Sequence, residues 1–221
     1  MTVNYKSVFD IIGPVMIGPS SSHTAGACAI GRAAHSIFKT KPTDIVIHYY
    51  DSFAKTHKGH GTDYAIISGI LGFAPDDARV PYAIKLAQDA GINMTFIAEV
   101  KASPIHHPNT AIIELKNQQK SIVVAGCSIG GGTIEIREIK MDGFDIKPRG
   151  PLPILLVPGS EADHHMITKL LSKLTEVTDQ KHYQAEDHNL YEYDLDRQLQ
   201  HTEVQKLAAD YGQLVYLQGV S

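Results

Sequence analysis

Hydroxyl and imidazole groups are concentrated in one short stretch near the start of the chain, GPSSSHTAGA, from Gly18 to Ala27. An alanine-rich pattern that predicts a helix follows, and serine is a favoured residue at a helix N-cap. A helix N-terminus attracts anions, and a histidine beside it can exchange a proton near neutral pH. The stretch could therefore bind a carboxylate-bearing substrate and move its proton, although a serine-rich cap with an incidental histidine is the alternative. The candidate residues are Ser20, Ser21, Ser22, His23 and Thr24.

A second polar stretch, SFAKTHKGHGTDYAI from Ser52 to Ile66, is predicted to be a loop between a strand and a helix. Loops in such positions commonly bind ligands, although a solvated loop that ends in a helix cap is the alternative. His57 and His60 are three residues apart, but no third and fourth ligand follow at a typical spacing. We therefore expect no metal on this chain. The candidate binding residues are Lys55, Thr56, His60, Gly61, Thr62 and Asp63.

Two further stretches combine turn-forming residues with groups that could contact a ligand. In HHPNT, Pro108 fixes a turn and Asn109 can present its amide. In GCSIGGGTIEI, consecutive glycines allow close approach of the backbone to a ligand, which makes Gly130 and Gly131 candidates. A simple turn and a flexible hairpin are the respective alternatives. The second stretch is not a dinucleotide-binding fingerprint, because strands rather than a helix are predicted after it.

Five segments follow one another along the chain: SVFDIIGPVMIGPSSSHTAGA, KGHGTDYAI, PDDAR, HPNT and SIGGG. Their sequence and order resemble the beta subunit of the iron–sulfur-dependent L-serine dehydratase. The resemblance covers about residues 5 to 140. It implies an enzyme that converts L-serine to pyruvate and ammonia without pyridoxal phosphate. It also implies a four-iron, four-sulfur (4Fe-4S) cluster that acts as a Lewis acid on the substrate, held by cysteines of a separate alpha subunit.

The same resemblance makes His23 the candidate base for the α-proton of L-serine, with the neighbouring hydroxyls binding the substrate or an anion in its place. Cys28 and Cys127 are too few to hold a cluster of this kind, which agrees with ligands on another chain. The expected partners are the alpha subunit and L-serine. The chain could also form a homodimer. The alternative is a non-catalytic module that senses serine or another small anion. A stand-alone metallohydrolase would instead require tight stoichiometric metal.

The bulk composition argues against other classes of function. The chain has 221 residues, of which 43% are hydrophobic and 20% charged, as in a globular protein with a sizeable core. A net charge of −4 without a basic run argues against nucleic acid as a partner. No apolar run approaches the roughly 20 residues that a membrane span needs, and no secretory signal is evident at the N-terminus. We therefore expect a cytoplasmic protein with reduced cysteines.

Hydrophobic periodicity predicts the elements that must position these residues. The N-terminal part is predicted to contain helices in SVFDII, TAGACAIGRAAHSIFK, TDYAIISGILG and DDARVPYAIKLAQDAG, and strands in DIVIHYYDSF, NMTFIAEV, TAIIELKN, KSIVVAGCSIGGG and TIEIREIK. Three prolines and a glycine in FDIKPRGPLP then break the pattern and mark a domain boundary. The remaining segments alternate as βαββαβ, which predicts a ferredoxin-like sandwich.

The expected fold class is α+β in two domains. Residues 1–147 would form a mixed α/β serine dehydratase beta-chain domain that binds the substrate or an anion, and residues 148–221 an ACT-like domain. Two positions depart from the family pattern. Asp51 stands where glycine is expected, and its carboxylate could perturb the neighbouring loop. Gly159 comes early in VPGSEADHHM, so we expect the ACT-like fold without amino-acid binding at this loop.

Overall fold

The computed structural model describes residues 15–219, so the predicted turn of helix in SVFDII lies outside the described residues. The described chain forms two β-sheets, each with helices packed on it. The helices are a π-helical turn Ser21–Ala25, α1 Gly26–Phe38, α2 Asp51–Thr56, α3 Thr62–Ile70, a 3₁₀ turn Val80–Tyr82, α4 Ala83–Asp89, α5 Glu161–Leu174 and α6 His201–Tyr211. The strands are β1 Asp44–Tyr49, β2 Asn93–Ala98, β3 Thr110–Lys116, β4 Ser121–Gly130, β5 Thr133–Met141, β6 Phe144–Ile146, β7 Ile154–Pro158, β8 Val177–Ala185, β9 His188–Leu195 and β10 Val215–Leu217.

The first sheet has six strands in the order β2-β1-β3-β4-β5-β6. Only β1 and β2 run parallel, and the other described neighbours pair antiparallel. Helix α1 contacts β3, β4 and β5, and α3 packs on α1. Alternate strand residues such as Ile45 and Ile47 turn inward to this helical layer, as the period of two in a strand requires. The start of α1, which holds the hydroxyl-rich stretch, therefore lies at one end of a packed helical layer.

Helices α1 and α3 approach each other closely at two glycines. A Cβ on Gly31 would overlap the carbonyl oxygen of Ile66, and one on Gly69 would overlap that of Cys28. Since neither glycine has a positive φ, it is this contact rather than backbone freedom that requires glycine here. The close crossing fixes how the start of α1 lies relative to the start of α3, where a second set of candidate residues is located.

The second sheet has four strands in the order β10-β7-β9-β8, all paired antiparallel. Its elements follow one another as β-α-β-β-α-β, in agreement with the predicted succession. Helices α5 and α6 cover one face and form a core with Leu155 and Tyr193. The opposite face contributes Ile154, Leu156 and Val215 to the core of the first sheet, where α1 contacts β10. Both faces of this sheet are therefore covered.

Three predicted elements need correction. The strand predicted in DIVIHYYDSF ends at Tyr49, because Asp51 takes a positive φ of 47° and starts helix α2. Glycine adopts this left-handed conformation readily, which explains why glycine is expected at this position. Aspartate can replace it because aspartate is one of the few other residues that tolerate the conformation. Its Oδ2 accepts the Ser103 N–H at 3.2 Å, so the carboxylate tethers a neighbouring loop.

The other two corrections concern prolines. The helix predicted in DDARVPYAIKLAQDAG is broken into the 3₁₀ turn and α4, because Pro81 cannot donate a backbone hydrogen bond. The segment FDIKPRGPLP is expected to interrupt the strands, but its first three residues form β6, which pairs with β5. The division of the chain into domains at residues 147 and 148 stays a prediction. Across the residues described, none of the helices has the length and apolar character needed to cross a membrane.

Candidate active site

The start of α1 is built differently from the predicted cap of three serines. Only Ser20 occupies the N-cap, in an extended conformation, and its Oγ accepts the backbone N–H of His23 at 3.3 Å. Ser21 and Ser22 lie inside the π-helical turn, which the N–H of Gly26 closes by donating to the carbonyl of Ser21. Such wide turns are frequent at functional sites. The turn places His23 half-buried at the positive end of the helix.

The ring of His23 is held by three neighbours. Its Nδ1 lies 3.2 Å from Ser20 Oγ, and its centroid lies 5.2 Å from that of Phe53 and 4.9 Å from that of His60. The other ring nitrogen, Nε2, is buried and has no hydrogen-bond partner among the described residues. Burial, and secondarily the nearby His60, lowers the pKa of His23. The imidazole is therefore held neutral, with one nitrogen available to a ligand.

The second predicted stretch is mostly helical rather than a loop. Helix α2 contains Lys55 and Thr56, and a turn containing exposed His60 leads to Gly61, which caps α3 with a φ of 72°. Thr56 Oγ1 donates to the carbonyl of Ser52 at 2.7 Å, which leaves its hydroxyl committed to the helix. Lys55 is exposed and has no ion-pair or hydrogen-bond partner in the described part of the chain. Of the predicted binding residues in this stretch, only His60 lies against the ring of His23 in the described structure.

A buried histidine–aspartate pair fixes the turn that contains His60. His57 Nδ1 lies 2.7 Å from Asp63 Oδ1, and the backbone N–H of Thr62 donates to the carbonyl of His57. The imidazole of His57 stacks on Tyr49 with 4.7 Å between ring centroids. Burial, with the Asp63 carboxylate nearby, raises the pKa of Tyr49 and keeps its phenol protonated. Asp63, predicted as a binding residue, therefore contacts its own loop.

Several buried hydroxyls near the start of α1 have no hydrogen-bond partner among the described residues. Helix α3 and strand β4 both contact the π-helical turn. Since more than nine in ten buried polar groups are paired in folded proteins, such a set needs an explanation, and a polar ligand is one. The atoms concerned are Thr24 Oγ1, Thr62 Oγ1 and Ser128 Oγ, and His23 Nε2 is likewise without a partner among the described residues.

The last two predicted stretches meet at Ser128. Asn109 Nδ2 donates to the Ser128 carbonyl at 3.3 Å, and the Ser128 N–H donates to the Asn109 carbonyl at 3.0 Å. The Ser128 side chain packs on Gly26, where a Cβ would overlap its Oγ. Beyond it Gly130 and Gly131 have φ values of 114° and 61° in the tip of the β4–β5 hairpin. The hairpin expected as the alternative is thus present, and it lies beside the start of α1.

Three residues of this region were not among the predicted site residues. Phe53 packs on His23, His57 orients the turn at His60, and Ser128 places a buried hydroxyl at the helix start. Phe53 gives no signal in the sequence, because its contact depends on the path of the chain. Ser128 could have been found, since it directly precedes Ile129 and the three glycines.

The described residues of this chain do not fit a cysteine-ligated iron–sulfur cluster. Cys28 and Cys127 are both buried, and burial raises the pKa of each thiol, to about 11 for Cys127. A cluster ligand must be a thiolate, which this environment disfavours. Within residues 15–219, no three His, Cys, Asp or Glu side chains form a group able to hold a metal ion.

Fold and site together define a two-sheet α+β protein in which a helix start combines a neutral histidine with buried hydroxyls. The family it belongs to follows from comparison of the whole sequence. Residues 7–138 match the model of the serine dehydratase beta chain family, and the chain belongs to that family. This match covers all four polar stretches of the site.

Individual relatives agree with this assignment. The "Probable L-serine dehydratase, beta chain" of Bacillus subtilis (strain 168) is 52% identical over 155 residues, covering 70% of this chain and 69% of its own. The "L-serine dehydratase, beta chain" of Peptoniphilus asaccharolyticus is 41% identical over 153 residues, which cover 68% of this chain and 67% of that protein. The "L-serine dehydratase TdcG" of Escherichia coli (strain K12) is 33% identical over 150 residues, which cover 58% of this chain but only 33% of that protein.

Proposed function

We propose that this chain is the beta subunit of an L-serine ammonia-lyase, which converts L-serine to pyruvate and ammonia without pyridoxal phosphate. The family match and the beta-chain names of two relatives support the proposal. In the Escherichia coli relative the matching region is about a third of that protein. The proposed partner is a separate alpha subunit, whose cysteines would hold the 4Fe-4S cluster.

The observation that supports the site best is His23 itself. Its Nδ1 can donate to Ser20 Oγ, which leaves the lone pair on buried, unpartnered Nε2 to accept the α-proton of L-serine. The lowered pKa keeps the ring neutral at cellular pH, as a base must be. The substrate carboxylate would bind the N–H groups and hydroxyls at the helix start, with the Cα–H toward the ring.

The hydroxyls around His23 would hold the carboxylate and the serine side chain. Thr24, Thr62 and Ser128 have buried oxygens whose hydrogen bonds a bound substrate would complete. Asn109 and the glycine hairpin would then shape the edge of the site through Ser128. Thr56 and Asp63 would support the site by holding their own segment. The residues proposed to contact the substrate or an anion are Ser20, Ser21, Ser22, Thr24, Lys55, His60, Gly61, Thr62, Asn109, Ser128, Gly130 and Gly131.

Residues 148–221 are proposed to form an ACT-like domain without an effector at its first loop. In that loop Ser160 Oγ accepts the N–H of Asp163 at 3.3 Å, and Asp163 Oδ2 accepts the Ser160 N–H at 2.8 Å. This reciprocal capping box uses donors at the start of α5 that an amino-acid carboxylate would need.

Coexpression tests the proposed function directly. The chain should be produced together with the reading frame that encodes clustered cysteines beside it, purified without oxygen, and assayed for pyruvate from L-serine. We expect a stable complex with iron–sulfur absorbance and serine deamination. A stable complex that binds L-serine but forms no pyruvate would contradict the enzyme and favour the serine- or anion-sensing module.

A further inference from the structure

Two carboxylates are buried on the face of the second sheet that turns toward the first. Glu192 and Asp194 lie two residues apart on β9, and only 1% and 3% of their surfaces are exposed. Their neighbours on β7 in the sheet are apolar, since Glu192 is opposite Leu156 and Asp194 opposite Ile154. Acidic side chains are almost never buried this completely unless they are paired. Their burial beside these apolar residues calls for an explanation.

The pair has too few partners for two negative charges. Lys181 Nζ lies 2.7 Å from Glu192 Oε1, and the hydroxyl of Tyr183 donates to Glu192 Oε2 at 2.7 Å. Asp194 Oδ1 has no partner among the described residues. Two ionised carboxylates beside one ammonium would leave a net charge of −1 in the core, which is costly. A proton on Asp194 would bring the group to neutrality.

Within residues 15–219, the other charged groups around the pair do not offer a second cation. Strand β8 contributes Asp179, which lies 3.7 Å from Lys181, and thus adds negative charge. The connecting segment passes close by, since a Cβ on Gly150 would lie 2.6 Å from Asp194 Oδ2. Lys147 and Arg149 of that segment are exposed, and Lys147 pairs with Glu138 and Asp145. Burial, and next the charge of Glu192, raises the pKa of Asp194 to about 6.

The acids also adjoin the contact between the two sheets. Tyr183, which donates to Glu192, packs against the core of the first sheet, and Ala185 lies 3.5 Å from the Cβ position of Gly143 beside β6. Strands β6 and β8 are in contact. We propose that Asp194 is a proton-binding group of the inter-sheet core, beside the Lys181–Glu192 ion pair, and that the packing between the two sheets loosens when its proton leaves.

The sign of the effect follows from linkage. Between the value of about 3.8 for unfolded aspartate and about 6, folded Asp194 binds a proton that the unfolded chain has released. Stability therefore rises as pH falls from 7 to 4 and is lost as pH rises through 6. Asp194→Asn mimics the protonated acid and should remove this dependence. Asp187→Asn, in the exposed turn between β8 and β9, is the matched control.

The test measures thermal unfolding of the full chain between pH 5 and pH 8 for the three proteins. Between pH 5 and pH 8, the unfolding midpoint should decrease in the wild type and in Asp187→Asn. This decrease should exceed that of Asp194→Asn by on the order of 5 °C. At pH 8 the connecting segment 147–153 should be cut faster by protease in the wild type than in Asp194→Asn. Equal pH slopes in all three proteins, or equal cutting rates, would overturn the proposal.

A second measurement covers the case in which Asp194→Asn fails to fold. Infrared spectra of the wild type should contain a carboxylic-acid band that disappears with a midpoint near pH 6. A band lost below pH 5 would show that no raised proton site exists, whatever the variant does. Neither measurement involves serine deamination, so failure here is distinct from failure of the proposed function.

Discussion

His23 combines features that separate a proton acceptor from a structural histidine. Nε2 of His23 is buried without a hydrogen-bond partner in the described chain, which leaves its lone pair free to accept a proton. Its neighbours lower its pKa instead of raising it, since no carboxylate is among the groups that shift it. By contrast, His57 is paired to Asp63 and serves to hold its turn.

We expect His23→Ala to lower the turnover of the two-chain enzyme by about 10²- to 10⁴-fold, the range for loss of a general base. Cluster content and partner binding should stay intact, as checked by absorbance and gel filtration. In the wild type, kcat/KM should fall only at pH below 6.5, because the pKa of His23 is lowered from that value. His106→Ala, at an exposed position, is the control. Near-normal turnover in well-folded His23→Ala would place the base elsewhere.

Ser20 allows a test on the chain alone. Ser20→Ala removes the N-cap acceptor of the His23 N–H and should cost about 1 kcal/mol of unfolding free energy. Ser22→Ala removes a hydroxyl with no hydrogen bond to the described residues and should stay within about 0.5 kcal/mol of wild type. Urea denaturation measures both. Equal losses for the two variants would show that Ser20 is not the cap.

At the scale of elements, the site depends on the crossing of α1 and α3. These two helices bring the π-helical turn beside the start of α3, where Gly61, Thr62 and Asp63 lie. The crossing is close because both helices have glycine at the contact. A change in this distance would move the hydroxyls of one helix relative to those of the other.

Gly69→Ala should therefore destabilise the chain by about 1–3 kcal/mol, the usual cost of overpacking, because its Cβ would meet the carbonyl of Cys28. Gly59→Ala is the matched control, since its Cβ would lie 3.9 Å from the nearest atom. Chemical denaturation compares the two variants with wild type. A Gly69→Ala chain as stable as Gly59→Ala would contradict the close crossing.

At the scale of the whole molecule, the two cysteines of the chain are poorly suited to hold an iron–sulfur cluster. Both cysteines are buried with raised thiol pKa values, and they lie on different elements, α1 and β4. The two sheets share a core through Ile154, Leu156 and Val215, so the C-terminal unit is packed on the helix that contains the site.

We expect the purified chain by itself to be colourless and inactive with L-serine. The physical reason is that its two cysteines cannot ligate a four-iron cluster. Absorbance between the near ultraviolet and the visible, together with a pyruvate assay after anaerobic iron and sulfide reconstitution, measures both. Serine deamination by this polypeptide alone would contradict the division of labour between two chains.

Local chemistry in the sequence was sufficient to predict many of the helices and strands. Apolar periodicity predicted the strands β2 to β5 and the succession β-α-β-β-α-β, because these patterns depend on residues close in sequence. The hydroxyls, His23 and the glycine hairpin were also evident from residue type and spacing. The start of helix α2 was missed, because the left-handed backbone of Asp51 is not visible in a β-rich pattern.

Only the tertiary structure determined which of these groups meet. The approach of His60 to His23, the burial of Ser128 on Gly26 and the enclosure of Glu192 and Asp194 join residues from different elements. Such contacts depend on sheet order and helix crossing, which no local pattern specifies. Lys55 and Thr56 show how a local pattern can mislead. Their polar segment predicts a loop but forms helix α2. The Lys55 side chain is exposed to solvent, and the Thr56 hydroxyl donates to the backbone of its own helix.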